Sequence, residues 1–236
     1  MFSCRRLWLP CALALLIAGP MIAEDLTVVS KVSMGDRSST STQYVSSTKS
    51  RTTDGETDTI LDFPTGGMTV VDHKKKEYWQ TTIQEMAAYM DKLYKDVGNN
   101  PMFASMFGGN EDVYVEKGKG SRKVAGYECQ DYTLSMGRSF VFDVCAAPAL
   151  QPPPQYYEGR KLSYAAMGPV GKRFSKMFDE MREIKGFPLR MAMDVDMGVM
   201  KQETLSEAIE VKKGAIPAST FELPAGYKKK KSPFQG

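Results

Sequence analysis

Alternation of apolar and polar residues with a period of two recurs at both ends of this chain and in its middle. That pattern commits much of the sequence to strands with one buried face. In "DLTVVSKVSMGD", Leu26, Val28, Val32 and Met34 share one face; Thr27, Lys31 and Ser33 share the other, and Val29 breaks the rule. In "FPLRMAMDVDMG", Met191, Met193, Val195 and Met197 alternate with Ala192, Asp194 and Asp196, and Gly198 marks a turn. Between them, "SSTSTQYVSSTKSRTT" reads as a solvated strand pair rich in Thr and Ser, and "DTILDFP" as a short strand. "GMTVVDHKKKEYWQTT" reads as a hairpin with "DHKK" at its tip.

Two stretches change period. Thr82 and Glu85 have capping-box spacing, and Ile83, Met86, Met90, Leu93 and Val97 then fall on one helical stripe. Gly98, Asn99, Asn100 and Pro101 stop that helix, and "PMFASMFGGN" suits a short apolar helix or flap. After Pro169, Phe174, Met177, Phe178, Met181 and Ile184 form a second stripe ended by Gly186. The intervening "APALQPPPQYY" holds four prolines and reads as a break in regular structure. Strands paired over long range with helices inserted define an α+β fold, and a curved sheet with helices inside its concave face buries both stripes.

The first residues read as an address. Arg5 and Arg6 precede the apolar run "LWLPCALALLIA", too short to span a bilayer, and cleavage after Ala23 fits a secretory signal. Pro20 stands where a lipoprotein signal has cysteine, so no lipid anchor is expected. The domain reading is thus signal peptide 1–23, one domain 24–228 and a basic tail 229–236, in a periplasmic or secreted protein. Removing residues 1–23 leaves 29 basic against 28 acidic residues, too even a balance to gather nucleic acid. Cys129 and Cys145 are the cysteines outside that segment, with no C-x-x-C spacing for redox or zinc work.

Those two cysteines sit on opposite arms of "YECQDYTLSMGRSFVFDVC". Pairing about Gly137 sets them opposite one another, and export favours oxidation, so a disulfide is expected. The same register sets Asp131 against Asp143; a slip of two residues relieves that repulsion but makes the cysteines diagonal neighbours.

Catalytic signals are weak. His73, the one histidine in the sequence, falls at a hairpin tip beside Asp72 and three lysines and reads as a solvated turn residue. Asp194 and Asp196 share a strand face opposite the methionines and read as solvent-facing rather than as cation ligands. "PTGGM" and "GKGSRKVAG" lack phosphate-loop spacing. No catalytic residue, metal site or cofactor is expected. Lys74–Lys76 and Lys228–Lys231 suit anionic headgroups at a membrane surface, although a hairpin tip and a chain end are also where lysines cost least. Fourteen methionines remain outside the signal segment, suited to adaptable apolar surfaces.

The closing "AIPASTFELPAGYKKK" places Pro217 and Pro224 around a short extended segment that buries Phe221 and Leu223. Together with "GGMTVVDHKKKEYWQTTIQEM", "KVAGYECQDYTL" and "GFPLRMAMDV", it resembles a family of exported bacterial proteins of unknown function, similar to the lipoprotein-carrier (LolA/LolB-like) superfamily. The resemblance implies an unclosed, strongly curved antiparallel half-barrel with helices on its concave side. Relatives of that fold carry lipoprotein acyl chains or sense exported polypeptides. The leading expectation is a monomeric, non-enzymatic binding or carrier-like protein for an apolar ligand, a lipid or lipoprotein acyl chain. Its lining is expected from Met86, Met90, Leu93, Phe174, Met177, Phe178 and Met181. The rival is a structural or protein-interaction module with a filled core and no ligand.

Overall fold

A computed structural model describes residues 24–97, 113–136, 140–196 and 201–235. The signal segment, the 101–110 flap, and the turns at Gly137 and Gly198 lie outside the described residues. Two meanders make the sheet. β1 (Leu26–Met34), β2 (Arg37–Val45), β3 (Lys49–Thr53), β4 (Thr57–Asp62), β5 (Gly67–Asp72) and β6 (Glu77–Thr82) form the first. β7 (Val113–Val124), β8 (Tyr127–Met136), β9 (Phe140–Ala147), β10 (Phe187–Asp196) and β11 (Lys201–Lys213) form the second. β1 pairs antiparallel with β11 and joins them, and β12 (Lys228–Lys229) adds to β6 in parallel. The order β12-β6-β5-β4-β3-β2-β1-β11-β10-β9-β8-β7 leaves the sheet unclosed. β7 escaped the sequence reading because "EKGKGSRKV" shows no buried alternation; it is an edge strand that its lysines and glycines protect from further pairing.

Among the described residues, the helices α1 (Ile83–Val97), α2 (Pro154–Ala165) and α3 (Gly168–Met181) accompany the sheet. The helix α2 corrects the reading of the proline-rich stretch as irregular throughout. Pro154 occupies its first position, where a missing N–H is harmless and the fixed φ is already helical. The sheet curves around α2. Tyr156 stacks on Phe187 of β10 at 5.8 Å between ring centroids. One turn on, Gly159 lies against Phe63 and Leu61 at the end of β4, where an added Cβ would come within 2.5 Å of the Phe63 ring. β4 and β10 are five strand steps apart, about 24 Å in a flat sheet. One helical turn reaches both because the sheet wraps it, which makes this the concave face.

Two buried clusters fill that face. Leu26, Val28, Val45, Leu150, Tyr156, Phe187 and Leu189 surround the cysteines, while Leu134, Phe142 and Val144 lie under Met177, Phe178, Met181 and Ile184. Each such large side chain contributes about 1.5–3 kcal/mol when fully buried. The α1 helix starts on the capping box read from the sequence: Glu85 N donates to Thr82 Oγ1 at 3.1 Å, and Thr82 N donates to Glu85 Oε2 at 2.9 Å. Its far end meets the α2–α3 junction at Gly168, whose φ of +78° and closeness to the Tyr94 ring admit no side chain.

Cys129 and Cys145 are bonded, with Cα atoms 5.4 Å apart. The hairpin register differs from pairing about Gly137. It is slipped by two residues, setting Asp131 opposite Cys145 and Thr133 opposite Asp143. The slip exchanges carboxylate repulsion for hydrogen bonds: Thr133 Oγ1 donates to Asp143 at 2.9 Å, and Arg122 donates to both Asp131 oxygens at 3.0 Å. An irregularity in the β7–β8 pairing between Lys117 and Ser121 lies beside this stretch. Cys129, Tyr132 and Leu134 are all buried despite their mixed parity.

The closing segment is a strap rather than an extended strand. Gly214 N donates to the Asp25 carbonyl and Ile216 N to the Asp25 carboxylate. Ala218–Phe221 forms a single 3₁₀ turn, and Phe221 and Leu223 are only half-buried near Ile60. The chain then lies along β6. Lys230 N donates to the Tyr78 carbonyl at 2.7 Å, and Phe234 meets Trp79 and Tyr89 edge-on at 5.8 and 5.7 Å. Residues 229–235 are therefore docked on β6 and α1 instead of fraying. Met34, expected on the buried face of β1, is 43% exposed at the strand's end.

The strap also corrects the reading of His73 as solvated. Nε2 donates to Asp58 Oδ2 at 2.7 Å, so Nδ1 of a neutral ring accepts from the Tyr227 hydroxyl at 2.8 Å. Arg51 donates to the same Asp58 oxygen at 2.7 Å and to the Thr220 carbonyl at 2.6 Å. Asp58 is only 1% exposed. Tyr227 is 154 residues away from His73, so the sequence neighbourhood held no sign of this clasp.

Candidate ligand-binding cavity

Between α2, α3 and the sheet lies a cavity of about 400 Å³. The α3 helix contributes Phe174, Met177, Phe178 and Met181, and β10 contributes Leu189, Met191 and Met193. Alternation along β10 turns those residues inward and leaves Asp194 exposed on the other face, as expected. The four methionines of this wall are unbranched and polarizable and adapt to irregular apolar partners. Phe174 packs edge-on against Phe140 and Phe142 at 5.6 and 6.5 Å, fixing one wall.

The α2 helix supplies the polar part. Tyr156, Arg160 and Tyr164 follow at intervals of four and share one stripe facing the cavity, with Tyr157 beside them. Gln43 Nε2 donates to the Tyr156 hydroxyl at 3.1 Å, and the Tyr157 hydroxyl donates to the Gly186 carbonyl at 3.1 Å. Burial raises the Tyr157 phenol well above its ordinary pKa, with the neighbouring Tyr156 adding to it, so it stays a donor. The Arg160 guanidinium lies 5.7 Å from the Tyr164 ring centroid and 5.9 Å from that of Phe178.

Of the seven residues expected to line a site, the structure brings together Phe174, Met177, Phe178 and Met181. The other three are on α1 and do not line this cavity. Met86 is buried, Met90 is half-buried, and Leu93 is 41% exposed beside a shallower depression shared with Tyr89 and Phe234. Arg160 was missed because the prolines before it hid α2; the spacing Tyr156, Arg160, Tyr164 was the available signal. A larger, more open groove of about 930 Å³ lies chiefly on the other face of β10–β11, lined by Asp143, Arg190, Ala192, Asp194, Glu203 and Leu205 among others. Its lining carries both signs of charge and has no continuous apolar wall. Among the described residues no group of His, Cys, Asp and Glu is arranged to hold a metal ion.

The open antiparallel sheet with helices over its concave face defines an α+β protein built around an interior cavity. The model for the family described as a domain of unknown function (DUF4412) matches residues 28–227, and the chain belongs to that family. No curated protein matches the chain. Among solved structures, an uncharacterized conserved protein from Thermus thermophilus aligns with a TM-score of 0.50 at 6% identity, over 89% of this chain and 92% of that one. At that identity the likeness is one of fold. PNGF-II aligns with a TM-score of 0.41 at 10% identity, over 89% of this chain and 31% of its own. The MucA/MucB complex of Pseudomonas aeruginosa aligns with a TM-score of 0.40 at 12% identity, over 86% of this chain and 56% of its own.

Proposed function

We propose that this protein is an exported, non-enzymatic, carrier-like binding protein that holds an apolar ligand, a lipid or lipoprotein acyl chain, between α2–α3 and the sheet. The observation that carries the reading is the cavity. Its volume falls in the range of about 300–1,000 Å³ used by small-molecule sites, and four methionines and four phenylalanines are among the residues of its wall. The Cys129–Cys145 disulfide supports an oxidising compartment, consistent with the reading of residues 1–23 as a signal. The engagement of both His73 ring nitrogens supports a structural role for the histidine. At the β5–β6 tip Lys228 N donates to the Lys76 carbonyl at 3.0 Å, so the two lysine runs meet where contact with an anionic membrane surface would be made.

Native mass spectrometry of gently purified protein, paired with titration of a fluorescent acyl probe, tests the reading. Co-purifying lipid or a saturable fluorescence gain is the expected result. Folded protein recovered repeatedly without lipid, and without response to the probe, rejects the carrier and leaves the filled-core module.

A further inference from the structure

We propose that the cavity is selective for anionic single-chain amphiphiles, and that Arg160 is the residue that receives the carboxylate or phosphate head. This deepens the carrier reading and rests on it. Three observations converge on Arg160. Among the described residues it is the one charged side chain lining the cavity. Among them, too, no carboxylate or carbonyl accepts a hydrogen bond from its guanidinium, and its buried Nε has no partner. Its neighbours in the same helix pair are both satisfied: Lys161 donates to Asp179 at 2.5 Å, and Arg182 pairs with Glu158.

A guanidinium cannot shed its proton at any physiological pH, so burial does not neutralise it as it would a lysine. Arg160 is half-buried, and holding its charge partly out of water without a counter-charge is unfavourable. The Tyr164 and Phe178 rings hold the cation by their faces but offer no acceptor for its N–H groups. An anion supplied by a ligand completes the site, and the planar fork suits the paired oxygens of a carboxylate or phosphate. The rest of the molecule then lies along Phe142, Met177, Met181, Met191 and Met193. A charged head joined to an apolar chain has the same two parts as this cavity.

The test uses the disulfide-intact protein and competition against a fluorescent acyl probe. Four competitors share one chain length: hexadecanoate, hexadecyl phosphate, hexadecanol and hexadecyltrimethylammonium. The two anions are expected to compete about tenfold or more better than the alcohol, and the cation worst, because a hydrogen-bonded charge pair is gained or a repulsion is met. The ranking of carboxylate against phosphate identifies the head. Arg160→Gln is expected to erase the preference for anions while keeping hexadecanol competition, and Arg160→Lys to keep part of it. Thermal melts of both variants control for folding, and the Gln variant, relieved of an unpaired charge, is expected to melt no lower than the native protein. Equal competition by alcohol and anions in the native protein, or an unchanged preference in Arg160→Gln, overturns the assignment to Arg160 while the carrier reading stands. Absence of any probe binding overturns the carrier reading itself.

Discussion

Arg51 and Arg160 are both drawn into the protein, one on each face of the sheet, and they are treated in opposite ways. Arg51 sits under the C-terminal strap with Asp58 and the Thr220 carbonyl as acceptors, and Asp58 is shared with His73. Arg160 projects from α2 into the cavity, with the faces of Tyr164 and Phe178 beside it and no acceptor. In the first arrangement the charges are matched within the chain, since Arg51 and His73 share the Asp58 carboxylate, although Arg51 Nε and Asp58 Oδ1 themselves have no hydrogen-bond partner. The second is complete only with something added. The difference separates a clasp that holds the strap on the sheet from a cavity that awaits its occupant.

Breaking the finished side should have the largest effect. Asp58→Ala leaves Arg51 and His73 without their shared acceptor in a site where Asp58 is almost fully buried. A loss of about 3–5 kcal/mol is expected, as for other buried pairs broken at one partner. Urea unfolding reads it as a lower midpoint with an unchanged slope. A midpoint unmoved by the substitution would mean that the strap is held by its backbone hydrogen bonds and by Phe221, Leu223 and Phe234 without the clasp, and the contrast with Arg160 would lose its meaning.

The disulfide comes next. It closes a loop between residues 16 apart in sequence, worth about 3 kcal/mol on the chain-entropy account. Cys129→Ser combined with Cys145→Ser should lower stability by that order. Two free thiols per unfolded, unreduced chain isolated from its native compartment would instead show that the bond does not form there.

The cavity side predicts a smaller stability change with a larger change in binding. Met191 is half-buried and lines the cavity from β10. In a packed core, Met191→Trp would cost about 1–3 kcal/mol by overpacking. If the space is open, the indole fills it: stability changes by less than about 1 kcal/mol while acyl-probe affinity falls at least about tenfold. A variant that melts early while its folded fraction binds normally would place the ligand elsewhere.

The sequence showed the parts of this molecule whose signal is local. The alternation of Leu26 and Val28 marked β1, the Phe174–Met181 stripe marked α3, and the spacing of Thr82 and Glu85 marked the start of α1. What it hid depends on residues far apart. The Asp58–His73–Tyr227 clasp joins β4, the β5–β6 turn and the strap, so His73 read alone looked like a turn residue. Arg160 lay behind prolines that break helices in their interior but begin one here. The hairpin register was legible as a conflict between Asp131 and Asp143, and the structure resolves it in favour of the charges while still bonding the cysteines.

The smallest expected effect concerns the capping box, where a local sequence signal and its geometry agree in full. Thr82→Ala removes the oxygen that accepts from Glu85 N and should destabilise by about 1 kcal/mol. The reciprocal half titrates. Hydrogen bonds from the Thr82 N–H first, and then from the Thr81 hydroxyl, hold the Glu85 carboxyl below its ordinary pKa. A carboxylate depressed in the folded state stabilises the protein above its unfolded pKa, and that contribution is lost as pH falls through the lower folded value. Glu85→Gln should therefore narrow the stability difference between neutral and acidic solution without altering the cavity, because the amide oxygen still accepts from Thr82 but no longer titrates. Melting curves across the acidic range, run beside acyl-probe binding at neutral pH, check both halves. A pH profile identical to the native one would show that the Glu85 hydrogen bonds add nothing to the folded state in solution, whereas a change in probe binding would mean that α1 contributes to the cavity after all.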